Sequence, residues 1–188
     1  MVRSGLAAGC LCLLAWVAVR ATAPPGDPRF TADRELIRPE GHREWIFVGA
    51  SLGMSYDAEK PKLATFHNVY LHPRAYQEYK KTGRFPERTI LAMEVLTPQS
   101  QASINRQGQF EDQPVALEAA VKDSSRFPEG WAYFDFSRRG QASFPGIAAA
   151  AAFPKPACWS CHNQHARTDN VFTQFYPVLR REAPAAAR

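Results

Sequence analysis

Five consecutive residues, Cys158-Trp159-Ser160-Cys161-His162, constrain this chain more than any other feature of its sequence. They spell C-x-x-C-H, the attachment signature of a c-type haem. The spacing has a physical reason. On a helical turn, positions i and i+3 project to nearly the same side, so two thiols can reach the two vinyl groups on one porphyrin edge. The histidine at i+4 then lies under the ring, where an imidazole nitrogen can bind iron. Thioether bonds would keep the cofactor in place while the pocket breathes. Rival readings are weaker. A redox-active C-x-x-C pair belongs beside a βαβ pattern, which this chain lacks. A zinc site from Cys158, Cys161, His162 and His165 would need four tetrahedral ligands from eight residues, and the adjacent Cys161 and His162 converge poorly on one small ion. A plain disulfide would leave His162 without a role. One motif implies one haem, with His162 as its proximal iron ligand.

The N-terminus reads as an address. Residues 1–23 carry Arg3, an apolar run from Leu6 to Val19 and the small residues Ala21-Thr22-Ala23, the layout of a secretory signal peptide cleaved after Ala21 or Ala23. The expected destination is the periplasm. Cleavage removes Cys10 and Cys12, so Cys158 and Cys161 are the only cysteines of the mature chain. It also removes Arg3 and Arg20, which lowers the formal net charge from +5 to +3. No block of five or more Lys or Arg occurs, so nucleic acid is not an expected partner. The total of 188 residues suits one domain, or two at most, at ~100–200 residues each. No apolar stretch reaches the ~18 residues of a spanning helix. The divisions expected are a lead-in over 24–37, one domain over 38–182 and a frayed tail over 183–188, the start of the lead-in (24–30) being Pro-rich and poorly ordered.

Within the domain, five segments rich in β-branched and aromatic residues read as strands: 43–49, 65–71, 89–96, 114–122 and 131–136. Leu91, Met93 and Val95 fall on one face of the third, with Ile90, Ala92 and Glu94 on the other. Mostly short connections favour an antiparallel sheet with one face covered. Helical signals are fewer. Residues 73–82 begin with Pro73 and are followed by Gly83, the expected start and stop. A second helix is expected from about Gly146 through Ala148–Ala152 to Pro154, and a third from near Pro156, carrying both cysteines. The fold class is therefore α+β, a five-stranded antiparallel sheet with a few helices.

What lies across the iron from His162 decides the chemistry. An open site binds NO, CO or a small amine, whereas a second strong ligand makes an electron carrier. The candidates are Met54, Met93, His42, His67, His72 and His165. His165 is too close in sequence to His162 to cross the ring. His42 and His72 sit in turn-like contexts, beside Gly41 and Pro73, that suit solvated residues. His67 and Met93 lie on strands.

The chain resembles the cytochrome P460 family and its cytochrome c′-beta branch. The resemblance runs from about Arg38 to Arg180 and rests on GHREWIFVGASLG, NVYLHPRAYQEYKKTGRFP, LEAAVKDSSRFPEGWAYFDF and ACWSCHNQHARTDNVFTQFYPVLR, in that order. It implies a mono-haem domain with the haem over one face of a five-stranded sheet, His162 as proximal ligand, an open or weakly occupied distal site, and a homodimer. In the cross-linked branch a strand lysine bonds to the porphyrin and the proteins oxidise hydroxylamine with NO-level intermediates. Met93 stands at that position here, and a thioether has no amine with which to form the bond. The cytochrome c′-beta branch lacks the cross-link and binds NO and CO in an apolar pocket, which Met93 suits. By the same alignment His67 matches an arginine and Glu118 a distal carboxylate. These two are the candidate proton-handling, catalytic residues should the protein be a hydroxylamine or NO oxidoreductase, with a redox partner that the sequence does not name. Strand pairing would put His67, Met93 and Glu118 on the haem-facing side.

Overall fold

Alternation of apolar side chains with period two builds a sheet that has two different faces, and the fold follows from what covers each of them. The computed structural model describes residues 26–54, 63–137 and 144–180. The signal segment and the tail over 183–188 lie outside the described residues. Five antiparallel strands run as a meander in the order β2 (Ile46–Leu52), β3 (Phe66–Leu71), β4 (Ile90–Gln99), β5 (Phe110–Lys122) and β6 (Trp131–Asp135). A two-stranded sheet pairs β1 (Leu36–Ile37) with β7 (Ala149–Ala150). The helices are α1 (Pro73–Thr82) and α2 (Trp159–His165). No helix among the described residues is long and apolar enough to cross a membrane.

All five expected strands form, but the first, expected over 43–49, runs Ile46–Leu52, because His42–Glu44 form a 3₁₀ turn. The β4–β5 hairpin is longer than expected, extending to Gln99 and back to Phe110. Its outer part follows register shifts around Leu96 and Pro98, because a proline cannot donate to the ladder and is tolerated at such irregularities. The polar residues there hid the extension. Helix α1 has the bounds its punctuation predicts. His72 caps it by accepting from the Arg74 N–H, and Gly83 ends it at φ 74°, donating to the Tyr79 carbonyl. Only a residue at ease with positive φ closes a helix in this way.

One face of the sheet packs Val69, Leu71, Leu91, Trp131 and Tyr133 against Ala75 and Tyr79 of α1, Phe85, Val171 and Leu179. Tyr79 stacks on Phe85 at 4.3 Å and donates its hydroxyl to the Leu179 carbonyl. The other face packs Ile90, Ala92, Leu117, Ala119, Val121 and Phe134 against Leu36, Phe136 and Ala150. Full burial of each large side chain contributes roughly 1.5–3 kcal/mol, so both faces are anchored.

Three expectations are corrected. The Ala148–Ala152 run is extended where a helix was expected: Ala149–Ala150 pairs with Leu36–Ile37, and Arg38 bonds the carbonyls of Pro145, Gly146 and Ile147. Alanine's helix preference is worth under ~1 kcal/mol per residue, and burial of Ala150 beside Leu36 outweighs it over so short a run. The lead-in, expected to be poorly ordered at its start, packs on the domain from Gly26 onward. Asp27 pairs with Arg74 and Arg88, Phe30 leans on Phe127 and Phe134, and Leu36 is fully buried. His42, expected to be solvated, is buried in a 3₁₀ turn over His42–Glu44, with Nε2 3.1 Å from a carboxylate oxygen of Glu94. Glu94 is itself only 1% exposed and is gripped by both Nε and Nη2 of Arg43. A buried carboxylate demands such partners, and this one draws the turn inward.

Candidate functional site

Helix α2 begins where the turns after Pro154 end, with Cys158 at its N-cap. That places Cys158 and Cys161 one turn apart, both as free thiols and both partly buried. Cys158 packs against the sheet face that carries Val69, Leu91 and Tyr133, and burial raises its thiol pKa. Among the described residues, no three His, Cys, Asp or Glu side chains gather so as to hold a metal ion by themselves.

His162 is wedged between aromatic rings, 4.2 Å from Tyr133 and 4.6 Å from Phe172 by ring centres. Burial lowers its pKa, which favours the neutral imidazole that binds metals. Its Nδ1 lies 2.9 Å from the Asn170 carbonyl oxygen. A carbonyl only accepts, so Nδ1 carries the proton and Nε2 keeps its lone pair. A second-shell acceptor on the far nitrogen is the usual way to fix a ligating histidine.

Two adjoining cavities, of about 400 and 120 Å³, meet at His162. Both are bounded by Val69, Met93, Glu118, Phe172 and Tyr176, and the smaller one reaches Cys158. The walls come from the sheet register. Val69 pairs with Met93, Met93 with Glu118, and Glu118 with Asp135, so these residues form one row across β3 to β6. His67 lies one pleat along on the same face and lines the larger cavity with Ser51 and Met54. The structure thus brings His67, Met93 and Glu118 round the void that His162 borders. It does not bring His42, His72 or His165 there: His42 lies on the other sheet face, His72 caps α1, and His165 is exposed.

The electrostatics of the wall are uneven. Burial, helped by the charge of Asp135, raises the Glu118 carboxyl to about 7. Asp135 is held by the Ser137 N–H and hydroxyl at 2.7 and 2.8 Å. Burial also lowers the His67 pKa, and its Nε2 lies 3.1 Å from the Thr65 hydroxyl. Near neutrality the wall therefore carries a neutral imidazole and a carboxyl poised between its two forms.

This donor set fits a haem: two free thiols, an imidazole whose Nε2 is spare, and a largely apolar void beside them. Asn170 Nδ2, at the edge of the smaller cavity, is a buried donor without a partner that a bound group could satisfy. Asn170, Asp169 and Tyr133 are the site residues that motif reading missed. The available signals were the adjacent Asp-Asn pair, which tolerates left-handed backbone, and the position of Tyr133 two residues from Trp131 on one strand face. A family model described as Cytochrome P460 matches residues 39–173. No curated protein matches the chain.

Proposed function

Since the chain belongs to the cytochrome P460 family, and is therefore a haem-binding cytochrome, we propose that it is an exported, mono-haem c-type protein that binds small ligands such as NO and CO. Cys158 and Cys161 would hold the haem through thioether bonds, with His162 Nε2 on the iron. Bound there, the haem supplies an iron able to take a diatomic ligand at its remaining position. The observation that carries the reading is the sheet wall of the cavity that His162 borders: Val69 and Met93 line it and leave room within it. Met93 occupies the place where the cross-linked branch has its lysine, so no amine is available for that bond. His162 is oriented by the Asn170 carbonyl and flanked by the rings of Tyr133 and Phe172. Export to the periplasm and assembly as a homodimer complete the reading.

The test is the optical spectrum of the reduced protein with and without CO. A five-coordinate, high-spin spectrum that changes on CO addition is expected. A low-spin spectrum indifferent to CO would overturn the reading and point to an electron carrier in which Met93 or His67 ligates the iron.

Glu118 favours a second reading, an oxidoreductase acting on hydroxylamine or NO. A carboxyl with a pKa of about 7 beside the cavity can accept a proton from a substrate and return it near neutral pH, with His67 as the neighbouring polar group. Turnover of hydroxylamine with an electron acceptor, lost in Glu118→Gln, is the expected result on this reading. Absence of turnover in a preparation that binds NO normally would remove it.

A further inference from the structure

We infer that Tyr133 is a positioning residue that tunes the iron ligand, because its phenol and the His162 imidazole compete for a single acceptor, the Asn170 carbonyl. The inference rests on His162 holding the iron, as proposed above. His162 Nδ1 lies 2.9 Å from that oxygen and the Tyr133 hydroxyl 3.2 Å from it. A carbonyl oxygen has two lone pairs and can serve both donors, but each bond it accepts weakens its pull on the other. Tyr133 is only 7% exposed, so its hydroxyl has little water to turn to. The competition is therefore built in rather than left to water.

The acceptor is held in place by an unusual turn. Asp169 and Asn170 both adopt left-handed backbone, at φ 48° and 60°, and Thr168 bridges to Val171 across them. Strained conformations of this kind persist only where the surroundings fix them. Here the Asp169 carboxylate does so, accepting from Lys122 Nζ at 2.7 Å and Trp131 Nε1 at 3.0 Å. Strand β6 thus supplies both the clamp for the turn, through Trp131, and the competing donor, through Tyr133. The strength of the Nδ1–H bond sets how strongly an imidazole donates to its metal, and with it the reduction potential. Removal of the phenol hydroxyl leaves the carbonyl to His162 alone and strengthens that bond. Weakening of the clamp does the reverse.

The test uses the full, matured protein: resonance Raman of the iron–histidine stretch in the ferrous state, together with a potentiometric titration. Tyr133→Phe should raise the stretching frequency and lower the midpoint potential, whereas Asp169→Asn should move both the other way. A merely structural role would loosen the site in both variants and shift them alike, so same-sign shifts overturn the inference. An unmoved band and potential in Tyr133→Phe overturn it too, while leaving His162 ligation intact. If Tyr133→Phe does not accumulate, an unmoved band in Asp169→Asn is equally fatal. A wild-type protein with no iron–histidine band would end the functional reading itself, and this inference with it.

Discussion

A carboxyl group in an apolar wall resists ionisation, and Glu118 also faces the charge of Asp135 on the next strand, which together lift it from 4.5 to about 7. The folded protein therefore keeps a proton that the unfolded chain gives up earlier. Stability contributed by this group is complete below about pH 4.5 and falls as pH rises to about 7, by on the order of 3 kcal/mol at most. Glu118→Gln should flatten the melting temperature across that range, measured by thermal denaturation at several pH values. An unchanged slope would mean that Glu118 is ionised in the fold. Met93 offers a second test at this scale. If it only lines the cavity, Met93→Ala leaves the ferrous spectrum high-spin, whereas a conversion from low to high spin would identify it as a ligand. The residues legible in the sequence, Cys158, Cys161 and His162, are those whose chemistry is written in local spacing. The Asn170 carbonyl was not legible, since a backbone acceptor leaves no signature in residue type. Nor was the burial of His42 beside Glu94, a residue far along the chain.

At the scale of elements, the sequence announces those that carry their own punctuation. Pro73 and Gly83 bound α1, and runs of β-branched and aromatic residues mark β2 to β6. Strands β1 and β7 have two residues each, too few to show any period, and exist only because each buries a side chain against the other and against the sheet. The structure makes the lead-in part of the fold, and this can be checked. Leu36→Ala, at a fully buried position, should cost about 2–5 kcal/mol, read as a lower urea midpoint. A change below ~0.5 kcal/mol, the range of surface substitutions, would show the lead-in to be dispensable. A similar economy appears at Gly49, where a Cβ would come within 3.2 Å of Tyr176 and 3.4 Å of Pro177. Glycine there lets the 3₁₀ turn at Pro177–Leu179 lie against β2.

Across the whole molecule, the sheet separates structure from chemistry. One face is closed by the lead-in, β1 and β7, with the Glu94 ion cluster beside them. The other carries α1, α2 and the segment after α2, and it holds the cavity, the thiols and His162. The chemistry of this site depends on a porphyrin joined to Cys158 and Cys161. The most direct test is the intact mass of the protein matured in a host competent for c-type cytochrome assembly. The expected value is the mass of the processed chain plus one haem, resistant to acid and organic solvent. A mass equal to that of the bare chain would contradict it.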